Sequence, residues 1–302
     1  GRDMGTLYEA LQLLLNVVWW IMIAHIILSW LINFDVLNLR QPIVAQLWDG
    51  LSRLLEPIYA PVRSVLPNTG GLDLAPLVVF IAIIILQRAL AGLGVMGVTD
   101  VLIMPDSYHL GERALHGMAP VDHPLPQVTM LDQAVTERAQ DSVDAAIAMR
   151  QSGAQVIIVL GGDGTTRAVS KGSGQVPLLP ICTGTNNVLP SFVEGTIAGL
   201  AAGAVATGQV PAELVTIRHK WLEVAVNGEP RDRALVDAAI VVGRFVGARA
   251  IWSRHDLRWL VVTRGQPMSI GISAIAGMVR PIAPEEPLGL ALTLAHPGLP
   301  AT

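Results

Sequence analysis

The chain has 302 residues, 52% of them hydrophobic, and a formal net charge of -4, which is room for two domains at roughly 100–200 residues each. So slight an acidic balance, with no basic stripe, argues against a nucleic-acid partner, and the lone cysteine, Cys182, excludes an internal disulfide or a thiolate metal cage. The mean hydropathy of +0.52 is high for a soluble protein, and the apolar excess is gathered in the N-terminal third.

Residues 8–32, YEALQLLLNVVWWIMIAHIILSWLI, are apolar apart from Glu9, Gln12, Asn16, His25 and Ser29. As a helix rising about 1.5 Å per residue they would run roughly 37 Å, enough to cross a hydrocarbon core of about 30 Å. The stretch continues into Trp30 and Leu31, where a signal peptide would show a small-residue cleavage site. A second apolar run, Leu74–Leu86, reaches spanning length with Ala89–Gly94 if Arg88 snorkels. Between the two, Val44, Leu47, Leu51, Leu54, Leu55, Ile58 and Val62 recur at helical spacing opposite Gln46, Asp49, Arg53 and Glu56. That pattern predicts an amphipathic helix on a membrane surface. His25 and Asn16 have no evident charged partner and read as helix-packing contacts before an intramembrane polar site.

The runs Ser29-Trp30-Leu31, Leu55-Glu56-Pro57, Pro61-Val62-Arg63, Leu66-Pro67 and Gly70-Gly71-Leu72-Asp73-Leu74-Ala75-Pro76 stand in an order that resembles the YggT family of small bacterial integral membrane proteins. The resemblance covers about Met4–Leu90. It implies a lipid bilayer as partner and supplies no chemistry.

Beyond residue 95 strand and helix signals alternate, the grammar of a parallel sheet. Asp100–Met104 reads as a buried strand closed by Pro105 and Asp106. His109, His116 and His123 lack metal-ligand spacing and are expected as solvated loop histidines. Val143, Ala146, Ile147 and Arg150 mark a helix face ending at Gly153, and Val156–Leu160 is the next strand. It empties into Gly161-Gly162-Asp163-Gly164-Thr165, at the carboxyl end where ligands of such sheets bind. A helix beginning near Thr165 would aim its positive N-terminus at the same spot. A Cβ at Gly162 or Gly164 would fill the approach to a phosphate, and a positive φ would be a further reason for glycine. The next strand, Val176–Ile181, runs into Thr183-Gly184-Thr185-Asn186-Asn187. Adjacent strand ends would put both loops on one crevice. The spacing is neither that of a Walker loop nor GxGxxG.

The pair of loops resembles the ATP-NAD kinase and diacylglycerol kinase superfamily, whose mark is GGDGT. From about Leu90 to Thr302 the chain is similar to the acetoin catabolism protein X branch of ATP-NAD kinase-like proteins, through MPD (Met104–Asp106), VLGGDGT (Val159–Thr165), PLLPICTGTNNV (Pro177–Val188), VEGT (Val193–Thr196), ALVD (Ala234–Asp237) and RFVG (Arg244–Gly247). The resemblance implies phosphoryl transfer from ATP with Mg²⁺ onto NAD or a related hydroxyl acceptor. Carried over by position, Asp163 is the catalytic or metal-organising carboxylate, and Gly161, Gly162, Gly164 and Thr165 line the phosphates. Thr183, Gly184 and Thr185 belong to the nucleotide loop, Asn186 and Asn187 contact nucleotide or acceptor, and Asp237 holds ribose hydroxyls. No protein metal ligand is assigned. Val236 stands where kinases acting on NAD carry an amide side chain, which leaves NAD itself open.

Leu214–Val226, the Asn227-Gly228 turn and Ala234–Val242 predict a hairpin, with Leu260–Thr263 and Leu288–Ala295 as further strands. Family members continue beyond the position of Thr302, so this mainly-β part is expected to be partial. The expected architecture is an N-terminal two-span α-helical membrane unit (4–92), an α/β parallel-sheet NAD-kinase-like nucleotide-binding domain (93–212) and a mainly-β C-terminal domain (213–302). The expected location is the bacterial inner membrane with the kinase-like domain in the cytoplasm. Two spans, however, place Arg40, Arg53 and Arg63 on the far side, against the positive-inside tendency. Two functions follow from these readings: a membrane-tethered small-molecule kinase, or a non-enzymatic membrane protein carrying a kinase-fold remnant. Homo-oligomerisation is left open.

Overall fold

The computed structural model describes residues 41–65, 75–118, 120–183, 187–242, 256–269 and 271–294, with 17, 20–25, 27–29, 31–32 and 37 from the first apolar stretch. In chain order its elements are α1 (Pro42–Val65), α2 (Ala75–Val95), β1 (Asp100–Ile103), α3 (Leu110–His116), β2 (Gln127–Met130), α4 (Ala139–Gln151), β3 (Ile157–Gly161), α5 (Asp163–Gly172) and β4 (Leu178–Cys182). There follow α6 (Gly195–Ala206), α7 (Ala212–Val215), β5 (Leu222–Val226), β6 (Glu229–Ala234), β7 (Asp237–Val241), β8 (Leu257–Val262), α8 (Ser273–Val279) and β9 (Leu290–Thr293). They form two compact units, Gly1–Glu137 with Glu194–Gly203, and Arg138–Val193 with Ala204–Thr302. The expected boundary at 92/93 falls inside α2, which runs through it unbroken.

In the first unit Met22, Leu55, Val79, Ile83 and Ala114 make the core, with Ile21, Leu86 and Leu110 against it. The amphipathic reading of α1 holds, but its apolar stripe divides. Val44 and Leu55 are buried, whereas Ile43, Leu47 and Leu54 face outward. His25 is fully buried, stacked at 4.9 Å on Trp48 with its Nε2 3.3 Å from Ser52 Oγ, a packing contact as expected. Asn16 lies outside the described residues.

Among the described residues one helical stretch, Val78–Val95, is long and apolar enough to cross a membrane. Its carboxyl half is bound to protein, backbone against backbone. A Cβ built on Gly92 would meet Thr196 O at 2.5 Å, one on Gly195 would meet Ile85 O at 2.6 Å, one on Gly199 would strike Ala89 O, and one on Gly203 would lie 2.6 Å from Met96 Cβ. Gly195, Gly199 and Gly203 recur every four residues and so lie along one side of α6, where they let the two helices close. Polar contacts fix the same half: Gln87 Nε2 donates to Ala114 O at 3.1 Å, and a ring nitrogen of His123 lies 2.9 Å from Ala91 O at the end of α2. His123 is thus a helix-end contact, a correction to its reading as a solvated loop residue; its ring is only half exposed. The expected strand at Asp100 is present as β1, and it pairs in parallel, from Asp100↔Gln127 to Ile103↔Met130, with β2, a strand that the sequence reading did not place. Asp106 does more than close β1. Its carboxylate accepts the N–H groups of Tyr108 and Leu110 at the entrance to α3.

In the second unit β3 and β4 are parallel neighbours from Ile157↔Leu178 to Gly161↔Cys182, and Ile157, Val159, Ala146 and Val169 pack the core beneath α4 and α5. The two parallel pairs are separate two-stranded sheets, one in each unit, where the alternation of elements predicts one sheet. Asn227 (φ 55°) and Gly228 (φ 83°) form the two-residue turn between antiparallel β5 and β6. The hairpin's second strand is therefore Glu229–Ala234 and not Ala234–Val242, because a tight turn returns the chain at once. Residues 237–241 instead open the antiparallel sheet β7-β8-β9. One face of that sheet buries Leu257, Leu260 and Val262 with Ala276 of α8 and Ile282.

The seam makes a prediction of opposite signs at two helical glycines. Gly199→Leu is expected to cost about 1–3 kcal/mol by overpacking, since Ala89 backbone stands where its Cβ must go. Gly50→Ala, in α1 with nothing within 4 Å of a Cβ, should stabilise by about 0.5–1 kcal/mol. Denaturant unfolding of the detergent-solubilised chain measures both; a neutral Gly199→Leu would contradict the seam.

Candidate functional site

The glycine corner lies at the carboxyl end of β3, and α5 starts at Asp163, two residues earlier than expected, with Gly162 as its N-cap. The three glycines serve different ends. A Cβ on Gly161 would meet Thr165 Oγ1 at 2.7 Å, and one on Gly162 would meet Asn187 Oδ1 at 2.6 Å, so both positions are kept bare by protein atoms. Gly164 is exposed and a Cβ there meets nothing within 4 Å. None of the three has positive φ; Gly162 is extended at φ -101°. Backbone strain is therefore no reason for glycine here, and the expectation of it is corrected.

Asp163 joins the two loops. Its Oδ2 accepts the N–H of Val188 at 2.9 Å and its Oδ1 that of Leu189 at 2.8 Å, while its own N–H donates to Asn187 Oδ1 at 3.2 Å. The Asn187 amide donates to Cys182 Sγ at 3.0 Å, so the buried cysteine is an acceptor as well as filler. Thr166, absent from the sequence-derived set, donates from Oγ1 to Gly162 O at 3.0 Å. The adjacency of the strand ends is as expected, and Thr183 follows β4 directly. Gly184, Thr185 and Asn186 lie outside the described residues.

Asp237 opens β7, paired with Val262. Burial, and after it the neighbouring charge of Asp163, push its carboxyl up to about 6. The two acids singled out in sequence thus share one electrostatic neighbourhood. Val236, beside it, is a buried apolar side chain whose carbonyl accepts the Thr263 N–H at 2.8 Å.

A second constellation escaped sequence reasoning. Asp232 on β6 binds Arg167 at 2.6 Å and Lys171 at 2.5 Å, both on α5. Burial works against its charge, but hydrogen bonds from Lys171, the Arg233 N–H and Arg167 hold its carboxyl down to about 2. Arg233 lies 3.6 Å over the Trp221 ring and donates to Ser170 O at 3.1 Å. The hairpin is thereby docked on the helix that carries Asp163. The spacing of Arg167 and Lys171, four apart on one helix, was the available signal; which acid would answer it was not readable.

Among the described residues no group of three or more His, Cys, Asp or Glu gathers as a metal site. An open groove of about 510 Å³ lined by Arg150, Gln155 and Gln175 lies before the first residues of β3 and β4, at the opposite strand ends from the corner, and is not the candidate site.

A GGDGT corner after a parallel strand, stapled to a second loop after its neighbour, defines an ATP-NAD kinase-like α/β fold, and the ATP-NAD kinase N-terminal domain family matches residues 114–210. The acetoin catabolism protein X C-terminal domain family matches 220–302, and the CCB3/YggT family matches 4–94. Acetoin catabolism protein X of Cupriavidus necator is 41% identical over 262 residues, covering 84% of this chain and 72% of the relative. The chain belongs to the acetoin catabolism protein X family. That alignment takes in more of the chain than lies outside 4–94, so part of the CCB3/YggT-like segment is aligned to this relative too. No solved structure matches the chain.

Asp237 sets a pH dependence. The unfolded carboxyl releases its proton near 3.8 and the folded one near 6. Between those values the native state holds the extra proton, so stability falls as pH rises through the window and the full cost is present above it. Asp237→Asn is therefore expected to raise the melting temperature at pH 7.5 and to change it little at pH 4. Melting curves at the two pH values test this; an equal shift at both would contradict it.

Proposed function

We propose that the chain is a membrane-tethered phosphotransferase that moves the terminal phosphoryl group of ATP to a hydroxyl of a small molecule. The observation that carries the reading is the corner at Gly161–Thr165, held by Asp163 to the loop after β4. The first turn of α5 there presents backbone N–H groups and a positive dipole end beside Gly164, a surface suited to phosphate. In this reading Gly164 and Thr165 face the phosphates, Gly161 and Gly162 let the two loops close behind them, and Thr183–Asn187 and Asp237 face nucleotide or acceptor. The parts are 4–92 for the tether, 93–212 for nucleotide and 213–302 for the β portion. Mg²⁺ would arrive with the nucleotide. Val236 offers no amide, which favours a hydroxyl acceptor related to NAD over NAD itself.

The test separates binding from folding. Gly164→Val meets no protein atom within 4 Å, so it should leave the fold intact and abolish thermal stabilisation of the full chain by Mg-ATP. A ligand that binds only the native state adds about 2.7 kcal/mol at a hundredfold excess over Kd. Cys182→Ser, which retains an acceptor for Asn187, should keep the shift. A folded wild-type chain that shows none with millimolar Mg-ATP would remove the kinase reading and favour a non-enzymatic membrane role.

The tether is best read as a single crossing by 8–32. The half of α2 free of the α6 seam, Ala75–Ile84, would rise only about 15 Å, half of a hydrocarbon core. One crossing puts Arg40, Arg53, Arg63 and all that follows on the cytoplasmic side, where ATP is, and the positive-inside tendency is met. In bacterial spheroplasts, an impermeant maleimide should label neither Arg53→Cys nor Asp122→Cys until the cells are opened. Labelling of Arg53→Cys alone from outside would restore the two-span topology.

A further inference from the structure

We propose that the open groove between the α4–β3 turn and the α5–β4 turn binds the oxyanion end, a carboxylate or a phosphate, of a small organic molecule, with the Arg150 guanidinium as its anchor. The groove measures about 510 Å³, a volume within the range of small-molecule sites. Its lining divides by chemistry. Ala154, Val176 and Pro177 are apolar, Gln155 and Gln175 carry amides, Arg150 brings a positive charge, and none of the described residues that line it is acidic. It lies at the strand ends opposite the glycine corner, so this site is separate from the phosphotransferase reading and does not rest on it.

The guanidinium is seated by packing and left without a polar partner. A Cβ on Gly174 would stand 2.8 Å from Arg150 Nη1 and 3.0 Å from its Cδ, so the bare backbone of that turn lets the side chain lie against it. Gly174 is also left-handed at φ 61°, a second reason for glycine at the position. The Arg150 side chain makes no hydrogen bond or ion pair with the described residues. One helical turn back, where an acid could answer it, stand Ala146 and Ile147.

A cation in the last turn of a helix is favoured by the dipole there. At α4, however, that end is already closed: the N–H groups of Ser152, Gly153 and Ala154 donate to Ala148 O, Arg150 O and Met149 O. The guanidinium bonds to none of these carbonyls. The N–H groups of Gly174 and Gln175 and the Gln175 side-chain amide likewise have no acceptor among the described residues. A planar fork of N–H donors matches the two oxygens of a carboxylate or a phosphate. The apolar residues beside it suit a short hydrocarbon or aromatic body, which a bare inorganic ion lacks.

The test uses the full chain in detergent without nucleotide, with phenyl phosphate and benzoate as probes at millimolar concentration and sodium chloride of equal ionic strength as reference. One or both probes should raise the melting temperature of the wild-type chain, and which of them does so names the head group. Arg150→Gln should leave the unliganded melting temperature largely unchanged and weaken probe binding by about tenfold or more, the scale of a lost charge-assisted pair. Arg150→Lys keeps the charge and loses the fork, so it should match wild type in unliganded stability and bind the probe more weakly. A dipole role alone would give the opposite pattern, a lower unliganded melting temperature in Arg150→Gln with the probe's effect intact, and would overturn the site. So would a wild-type chain that responds to neither probe, or a response that Gly164→Val abolishes and Arg150→Gln keeps, which would put the anion at the corner instead. Arg150→Gln should leave the effect of Mg-ATP in place, so the two sites are read apart.

Discussion

The site depends on one carboxylate reaching across a gap in sequence. Asp163 holds the N–H groups of Val188 and Leu189, 25 and 26 positions onward, and converts two loops at the ends of neighbouring strands into one surface. Much else at the corner follows. Gly162 must be bare because Asn187 Oδ1 stands where its Cβ would be, and Asn187 is there because it takes the Asp163 N–H and gives its own to Cys182. Gly161 must be bare because Thr165 folds back over it. These glycines let protein approach protein, and only Gly164 leaves open space beside the helix start.

The helix bearing Asp163 is itself held from its far side. Asp232 takes Arg167 and Lys171, and Arg233 reaches Ser170 while covering Trp221. Exposed ion pairs usually contribute little, a median of about 0–1 kcal/mol. Here two cations converge on one acid, and the network's consequence is the seating of the hairpin on α5. A β attachment of this kind holds the helix that carries Asp163 in place from behind.

The apolar helix Ala75–Val95 shows how one pattern can serve two solvents. Its sequence meets the length and polarity demands of a bilayer, and the segment belongs to the part that matches CCB3/YggT. Yet its carboxyl half meets α6 through Gly92, Gly195, Gly199 and Gly203 at distances that admit no side chain, and is tied by Gln87 and His123. Lipid cannot replace contacts made between backbones. The partial overlap of the CCB3/YggT match with the alignment to acetoin catabolism protein X is in keeping with a helix common to both.

Much of the site was legible in the chain of letters. An apolar run that ends in GGDGT, another that ends in CTGTNN, and the Asn227-Gly228 turn are local signals, and local signals set strand ends and turn types. The tertiary structure alone decided which way each carboxylate points, since two acids of the same type differ only in the donors that long-range folding brings to them: two N–H groups to Asp163, none among the described residues to Asp237. It alone decided, too, that Arg167 and Lys171 are answered by Asp232, and that α2 is packed by protein along its second half. Helical periodicity records that a face avoids water; it does not record whether lipid or another helix keeps the water away.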